Sequence, residues 1–235
     1  MAGRVSAVVP LDGRGPLVFE HLHEQPLYLS AVRALSSVVP GAVVRVDPPD
    51  TGRVQEELGR ARVSCSVVDA ASWWAELRRD QVRPLVVHDP VCPLTPTDFL
   101  SSVAERVLGS KTSYAAVRHV TDTVKTAAGG HITGTIDRNG LVVLSSPVAI
   151  SAAVMDRSLA DDDPPPLHDV SRLVGWLRAR GAVETVTAPS LARRVDDASS
   201  VHLLECVDEL HHQLRQGRAN PAVSGGSDPT PRGPA

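Results

Sequence analysis

Gly13, Arg14 and Gly15 follow, after Leu11 and Asp12, an apolar run, VSAVVP at residues 5–10, where a strand gives way to a loop. Backbone amides and a fixed cation in such a loop can cradle a phosphate, and a flexible charged turn is the rival reading. Asp89 ends a second apolar run, PLVVHD at residues 84–89. The carboxyl ends of strands are where α/β sheets place ligands, although an acid there can equally cap the next helix. Three further cations, Lys125, Arg138 and Arg194, lie in polar surroundings, and Arg138 in DRNG would by itself be a solvated turn residue. His21, His23, His211 and His212 lack further ligands at metal spacing, as do Cys65, Cys92 and Cys206, so no metal cluster is expected from them.

The elements that must position these groups follow from periodicity. Residues 5–10, 42–46, 63–68 and 84–89 are short, near-continuous apolar runs, as in parallel strands covered on both faces. Between them lie helical patterns: residues 26–38, with Leu27, Ala31, Ala34 and Leu35 on one face, then 52–61 and 71–80. Residues 93–108 predict a helix with Leu100, Val103 and Val107 inward and with Thr95 or Thr97 capping its first amides. The β, α, β, α order predicts a Rossmann-like, doubly wound, mostly parallel sheet in one domain over residues 1–215. After residue 110 the pattern turns to short strands, SYAAVRHV, ITGTID and LVVLSS, punctuated by Gly129-Gly130 and Asn139-Gly140. A β-arm at about residues 118–143 is expected, covering a site or meeting another subunit. A helix over residues 167–181, a strand VETVT and a final helix over residues 196–214 complete the folded part, and residues 216–235, rich in Gly, Pro and Ser, are expected to be disordered. Trp73 and Trp74 are expected to pack a helix, one ring on the core and one at a partner surface.

A chain of 235 residues that is 42% hydrophobic can bury one substantial core, built from Val, Leu and Ala because only 3% of residues are aromatic. Its formal charge of −3 gives no broad attraction to nucleic acid or an anionic membrane. Three cysteines, no signal-peptide pattern and no spanning segment suggest the cytoplasm.

Several stretches, in order from about residue 5 to residue 214, resemble the 2-C-methyl-D-erythritol 4-phosphate cytidylyltransferases. VVHDPVCPLTP at residues 86–96 is similar to the family's VHDAARPLTP, which would give Asp89 a role in holding metal and sugar-alcohol phosphate. VTDTVK at residues 120–125 and GTIDRNGL at residues 134–141 resemble the family's VxDTIK and TVDRxGL, placing Thr123, Lys125 and Arg138 at the substrate phosphate. LSSPVAI resembles the QTPQxF segment, with Ser146 in the Thr position, and LHDVS resembles TDDAS, with Asp169 matching. ARRVDDASSVHLLE is similar in spacing to NIKVTxPEDLxLAE, so Arg194 falls where the family has a Lys near the nucleotide phosphates. The resemblance implies a glycosyltransferase-A-like nucleotidyltransferase fold, a homodimer, Mg2+ as cofactor, and transfer of CMP from CTP to methylerythritol phosphate. Pro10, Gly13 and Gly15 would hold the nucleotide and Arg14 and Arg194 would act in catalysis.

The departures bear on activity. Where the family reads VPAAGxGxRxG and then PK, this chain reads VVPLDGRGPLVFEHL, so the loop is short and Leu17 or its neighbour stands in place of the Lys. Asp12 puts a negative charge beside the expected triphosphate. Cys92 replaces an Arg, Val148 a Gln, and VVDAASWWAELRR the segment that holds base and ribose. Weak or lost cytidylyl transfer is therefore expected, with a non-catalytic scaffold or a transferase of changed substrate as alternatives.

Overall fold

The computed structural model describes residues 5–79 and 81–219. Four apolar runs become parallel strands: β1 (Ser6–Pro10), β4 (Val43–Val46), β5 (Ser66–Asp69) and β6 (Leu85–Val87). Between the first two, a tiny hairpin of β2 (His21–Leu22) and β3 (Gln25–Pro26) leads into α1 (Leu27–Val38). Neighbouring residues of one strand serve opposite faces. Ala7 and Val9 belong to the core cluster with Leu35, Val54 and Val103, while Val8 packs with Trp73, Leu85, Ile150 and Leu173. The first cluster is formed with α1, α2 (Thr51–Arg60), α4 (Thr97–Val107) and α7 (Ala198–Ala219), the second with α3 (Trp73–Leu77), α5 (Ala152–Ala160) and α6 (Val170–Arg178). Burial on both faces is why those runs carry no polar alternation.

The sheet is extended by β7 (Ser113–His119), β10 (Val142–Ile150) and β11 (Val183–Thr187) into the order β11-β7-β10-β6-β1-β4-β5. All pairs are parallel except the two made by β10, which runs against both β6 and β7. The expected doubly wound, mostly parallel architecture is present.

Between β7 and β10 the chain leaves the sheet. β8 (Val124–Ala128) and β9 (His131–Ile136) form a separate two-stranded sheet, turned by Gly129 and Gly130, both at positive φ. Only Gly adopts that conformation without strain. Val142 and Val143, expected inside the arm, instead pair with His119 and Arg118 on the main sheet. Ile132, Ile136, Val142 and Val143 are nevertheless exposed, unusual for such side chains.

Other expectations are corrected. Neither threonine caps α4: Pro96 is its N-cap, and the Thr95 hydroxyl donates to the Cys92 carbonyl at 2.9 Å. Trp73 is on the core, as expected, and Trp74 is half-buried, its indole donating to Asp162 at 3.0 Å. The last helix runs to Ala219, so residues 216–219 are helical, and residues 220–235 of the expected tail lie outside the described residues. The His23 amide donates to Glu205 at 2.8 Å and its ring meets Asp208 at 3.0 Å, tying the β2–β3 hairpin to α7. Among the described residues, no helix is long and apolar enough to cross a membrane.

Candidate functional site

β1 stops at Pro10 and the chain enters a five-residue turn held to the end of β4. The Leu11 amide donates to the Arg45 carbonyl at 2.8 Å, and the Arg14 amide closes the turn on the Leu11 carbonyl at 3.2 Å. Gly13 and Gly15 both sit near φ +66°, the left-handed region that favours glycine. A Cβ on Gly13 would also lie 3.3 Å from the Cβ of His168.

This turn sends the Arg14 side chain inward. Its Nη1 lies 3.1 Å from Asp89 Oδ2, its Nη2 donates to the Leu167 carbonyl at 3.2 Å, and only 6% of the side chain is exposed. Asp89 follows β6, and its Oδ2 also receives Nη1 of Arg194. Arg194 arrives on the loop after β11, which is fixed by the Val195 amide donating to the Val91 carbonyl at 2.8 Å and by the Ser145 hydroxyl bonding to the Ala192 carbonyl. Arg194 remains 29% exposed, so the two cations differ in access: Arg194 at the rim, Arg14 behind.

Ser146 lies under Asp89 rather than at an open surface. Its Oγ accepts the Asp89 amide at 2.8 Å and shares a second hydrogen bond with His88 Nδ1, 2.6 Å away. β10 brings it there by running antiparallel beside β6, with a register shift between Leu144 and Val148 that turns Ser145 and Ser146 toward the strand end. His88 is fully buried, and burial pushes its pKa down to about 4, with Asp89 opposing. It is neutral at pH 7.

The two guanidiniums respond differently to the shared carboxylate. Burial pulls Arg14 below its ordinary value, partly offset by Asp89. At Arg194 burial acts the same way, but Asp89, Cys92 and Asp196 together outweigh it and the net shift is upward. Both stay cationic, since guanidinium does not deprotonate in proteins. Cys92 has its thiol pushed far up by burial and supplies no charge. The centre therefore holds two cations and one buried carboxylate, and at its rim the 77% exposed Asp196 accepts Arg194 Nε at 3.2 Å.

A divalent ion on Asp89 does not fit. Oδ2 carries two guanidiniums, Oδ1 accepts the Val91 amide at 3.2 Å, and no group of three or more His, Cys, Asp or Glu that could hold a metal occurs among the described residues. Asp169 is committed as well. Its Oδ1 caps α6 by accepting the Ser171 and Arg172 amides at 2.9 and 3.0 Å, bonds that together with nearby charge hold its pKa low. The residue expected at the substrate thus also caps a helix.

Thus Pro10, Gly13, Arg14, Gly15, Asp89, Ser146 and Arg194 gather at one end of the sheet. Thr123, Lys125 and Arg138 are on or beside the arm and exposed, and the hydrogen bonds of the two cations stay there: Lys125 Nζ to Thr135 at 2.6 Å, and Arg138 to the Thr121 carbonyl. Two of the three expected guanidiniums meet Asp89; Arg138 does not. Asp12, expected to repel a triphosphate, is neutralised by a fork from Arg45, with Nε and Nη2 at 2.6 and 2.5 Å from its two oxygens. Sequence reasoning missed that pair, yet a lone Arg in the apolar strand AVVRV was a signal, because a buried cation needs a partner.

The family model for 2-C-methyl-D-erythritol 4-phosphate cytidylyltransferase matches residues 7–171. A protein of that description from Frankia casuarinae is 29% identical over 174 residues, covering 68% of this chain and 65% of its own length. Another, from Nocardia farcinica, is 28% identical over 223 residues, covering 86% of this chain and 93% of its own. Among solved structures, a 2-C-methyl-D-erythritol 4-phosphate cytidylyltransferase from Thermus thermophilus superposes with a TM-score of 0.65 at 18% identity, over 89% of this chain and 100% of that one, a likeness of fold.

Proposed function

Because the chain belongs to the 2-C-methyl-D-erythritol 4-phosphate cytidylyltransferase family, we propose that its site binds phosphate groups of a nucleotide or sugar-alcohol phosphate and performs cytidylyl transfer from CTP weakly or not at all. The observation that carries the reading is the convergence of Arg14 and Arg194 on buried Asp89 at the carboxyl end of the sheet. In the transfer reaction, an oxygen of the acceptor phosphate forms a bond to the α-phosphorus of CTP, the bond to the β-phosphate oxygen breaks, and pyrophosphate leaves with its electron pair. Such chemistry depends on positioning and on offsetting charge. Arg194 at the rim would meet the incoming phosphates, and Arg14 would hold Asp89 and the loop.

Three features support impairment. Leu17 or its neighbour stands where a second loop cation is needed, Cys92 is neutral, and α3 with buried Trp73 occupies the segment expected to hold base and ribose. Each missing charge-stabilising group costs about 2.7–4 kcal/mol, or about 10²–10³-fold in rate. Pyrophosphate release from CTP, a divalent salt and methylerythritol phosphate is expected below about 0.01 s⁻¹; about 1 s⁻¹ or more, ordinary for a metabolic enzyme, would refute the impairment.

The exposed Ile132, Ile136, Val142 and Val143 favour a second element of the proposal, a homodimer formed through the arm, which a non-catalytic scaffold would share. Thermal stabilisation by CTP separates the two readings. A retained site gives about 2.7 kcal/mol at a hundredfold excess over Kd, and a scaffold without a site gives none.

A further inference from the structure

Arg45 is an anomaly in β4. It is 7% exposed on a strand whose neighbours Val44 and Val46 are fully buried, and its guanidinium lies 5.2 Å from the centre of the Trp73 ring. Both oxygens of Asp12 are taken by its fork. Stability alone gives little reason for such a pair, because apolar residues of similar volume often replace a buried ion pair without loss. What a bidentate fork supplies is a fixed orientation.

The orientation fixed here is that of the loop. Three successive loop residues are tied to the end of β4: the Leu11 amide to the Arg45 carbonyl at 2.8 Å, the Asp12 carboxylate to the Arg45 guanidinium, and the Gly13 amide to Asp47 Oδ2 at 3.3 Å. The next residue is Arg14, which crosses to Asp89 and the Leu167 carbonyl. We propose that Arg45 is a positioning residue: by gripping Asp12 it holds the short loop in place and so sets Arg14 at the phosphate site. Trp73 fills the space under the guanidinium and keeps the pair from water. The family-like loop is shortened in this chain, and a brace from the neighbouring strand replaces the missing length. This inference rests on the phosphate-site reading only for its second measurement below.

The test compares the full chain with Arg45→Lys, which keeps the charge and loses the fork, and with Asp12→Asn/Arg45→Gln, which removes both charges so that no buried ion is stranded. Hydrogen exchange of peptides covering residues 11–19 should accelerate about tenfold in both variants, with peptides from β6 and α4 unchanged as the control for global folding. Affinity for inorganic tripolyphosphate should fall about fivefold in each, and combining Arg45→Lys with Arg14→Met should cost less than the sum of the separate losses. Unchanged loop exchange overturns the proposal. So does a loosened loop with wild-type affinity, or strict additivity with Arg14→Met. A wild-type protein that fails to bind tripolyphosphate would sink the phosphate-site reading instead, and loop exchange would still decide the role of Arg45.

Discussion

Arg14 and Arg194 share one oxygen of Asp89 but are not equivalent. Removing Arg194 leaves Asp89 paired with Arg14, whereas removing Arg14 also strips the buried Leu167 carbonyl of its donor. Arg194→Met is therefore expected to weaken triphosphate binding by about tenfold or more, the worth of a charge-assisted bond, with little change in melting temperature; Arg14→Met should lower both. Equal thermal destabilisation by the two would refute the division of roles. His88 makes a separate prediction. Its folded pKa of about 4 lies below the ordinary 6.5, so the unfolded chain binds the extra proton first. Stability from this group is complete above pH 6.5 and is lost as pH falls toward 4, by about 3 kcal/mol. In His88→Gln, denaturant titrations across that window should show a correspondingly flatter dependence on pH. At this scale, Gly13, Arg14, Gly15 and Asp89 were legible because each follows an apolar strand. The Asp12–Arg45 pair was not, because it depends on the register between β1 and β4, where Pro10 lies opposite Arg45.

Among the elements, α6 offers a clean test. Asp169 caps it through two backbone amides, so Asp169→Ala should cost about 1 kcal/mol of stability, whereas Asp169→Asn, itself a good cap, should cost little. Were Asp169 chiefly a substrate ligand, Asn would impair binding at unchanged stability. Helices with clear 3.6-residue periodicity, α1 and α4, were legible, α1 to within one residue and α4 to within one at its end but four at its start, where Pro93 to Pro96 precede the first turn. α5 was not foreseen: in the run VAISAAV a single polar residue, Ser151, separates strand from helix, and it leaves no periodic signal. β8 was passed over as a strand for the opposite reason. Of its five residues four are exposed, so no alternation marks it.

The whole molecule divides into a sheet buried on both faces and an arm that buries little. If the arm joins two copies, sedimentation should give twice the mass of one chain, and Ile132→Asp/Val143→Asp should give a folded monomer with unchanged tripolyphosphate affinity at the Asp89 site. A wild-type mass of one chain would refute the dimer. Fold class was the most legible feature, because the order of apolar runs fixes a doubly wound sheet with few alternatives. Which surface meets another molecule was less so, since exposed apolar residues on the arm become visible only once the strands are placed.

The tether between His23 and α7 also bears on the order of events during synthesis. Its partners lie 182 and 185 residues apart in sequence, the contact of Arg14 with Leu167 spans 153, and that of Arg194 with Asp89 spans 105. Loop closures of that length come late, after local helices and adjacent strands have formed. A nascent chain halted before Arg194 would display a sheet end with one guanidinium and a slack hairpin, so the site is completed only as the segment after the last strand emerges.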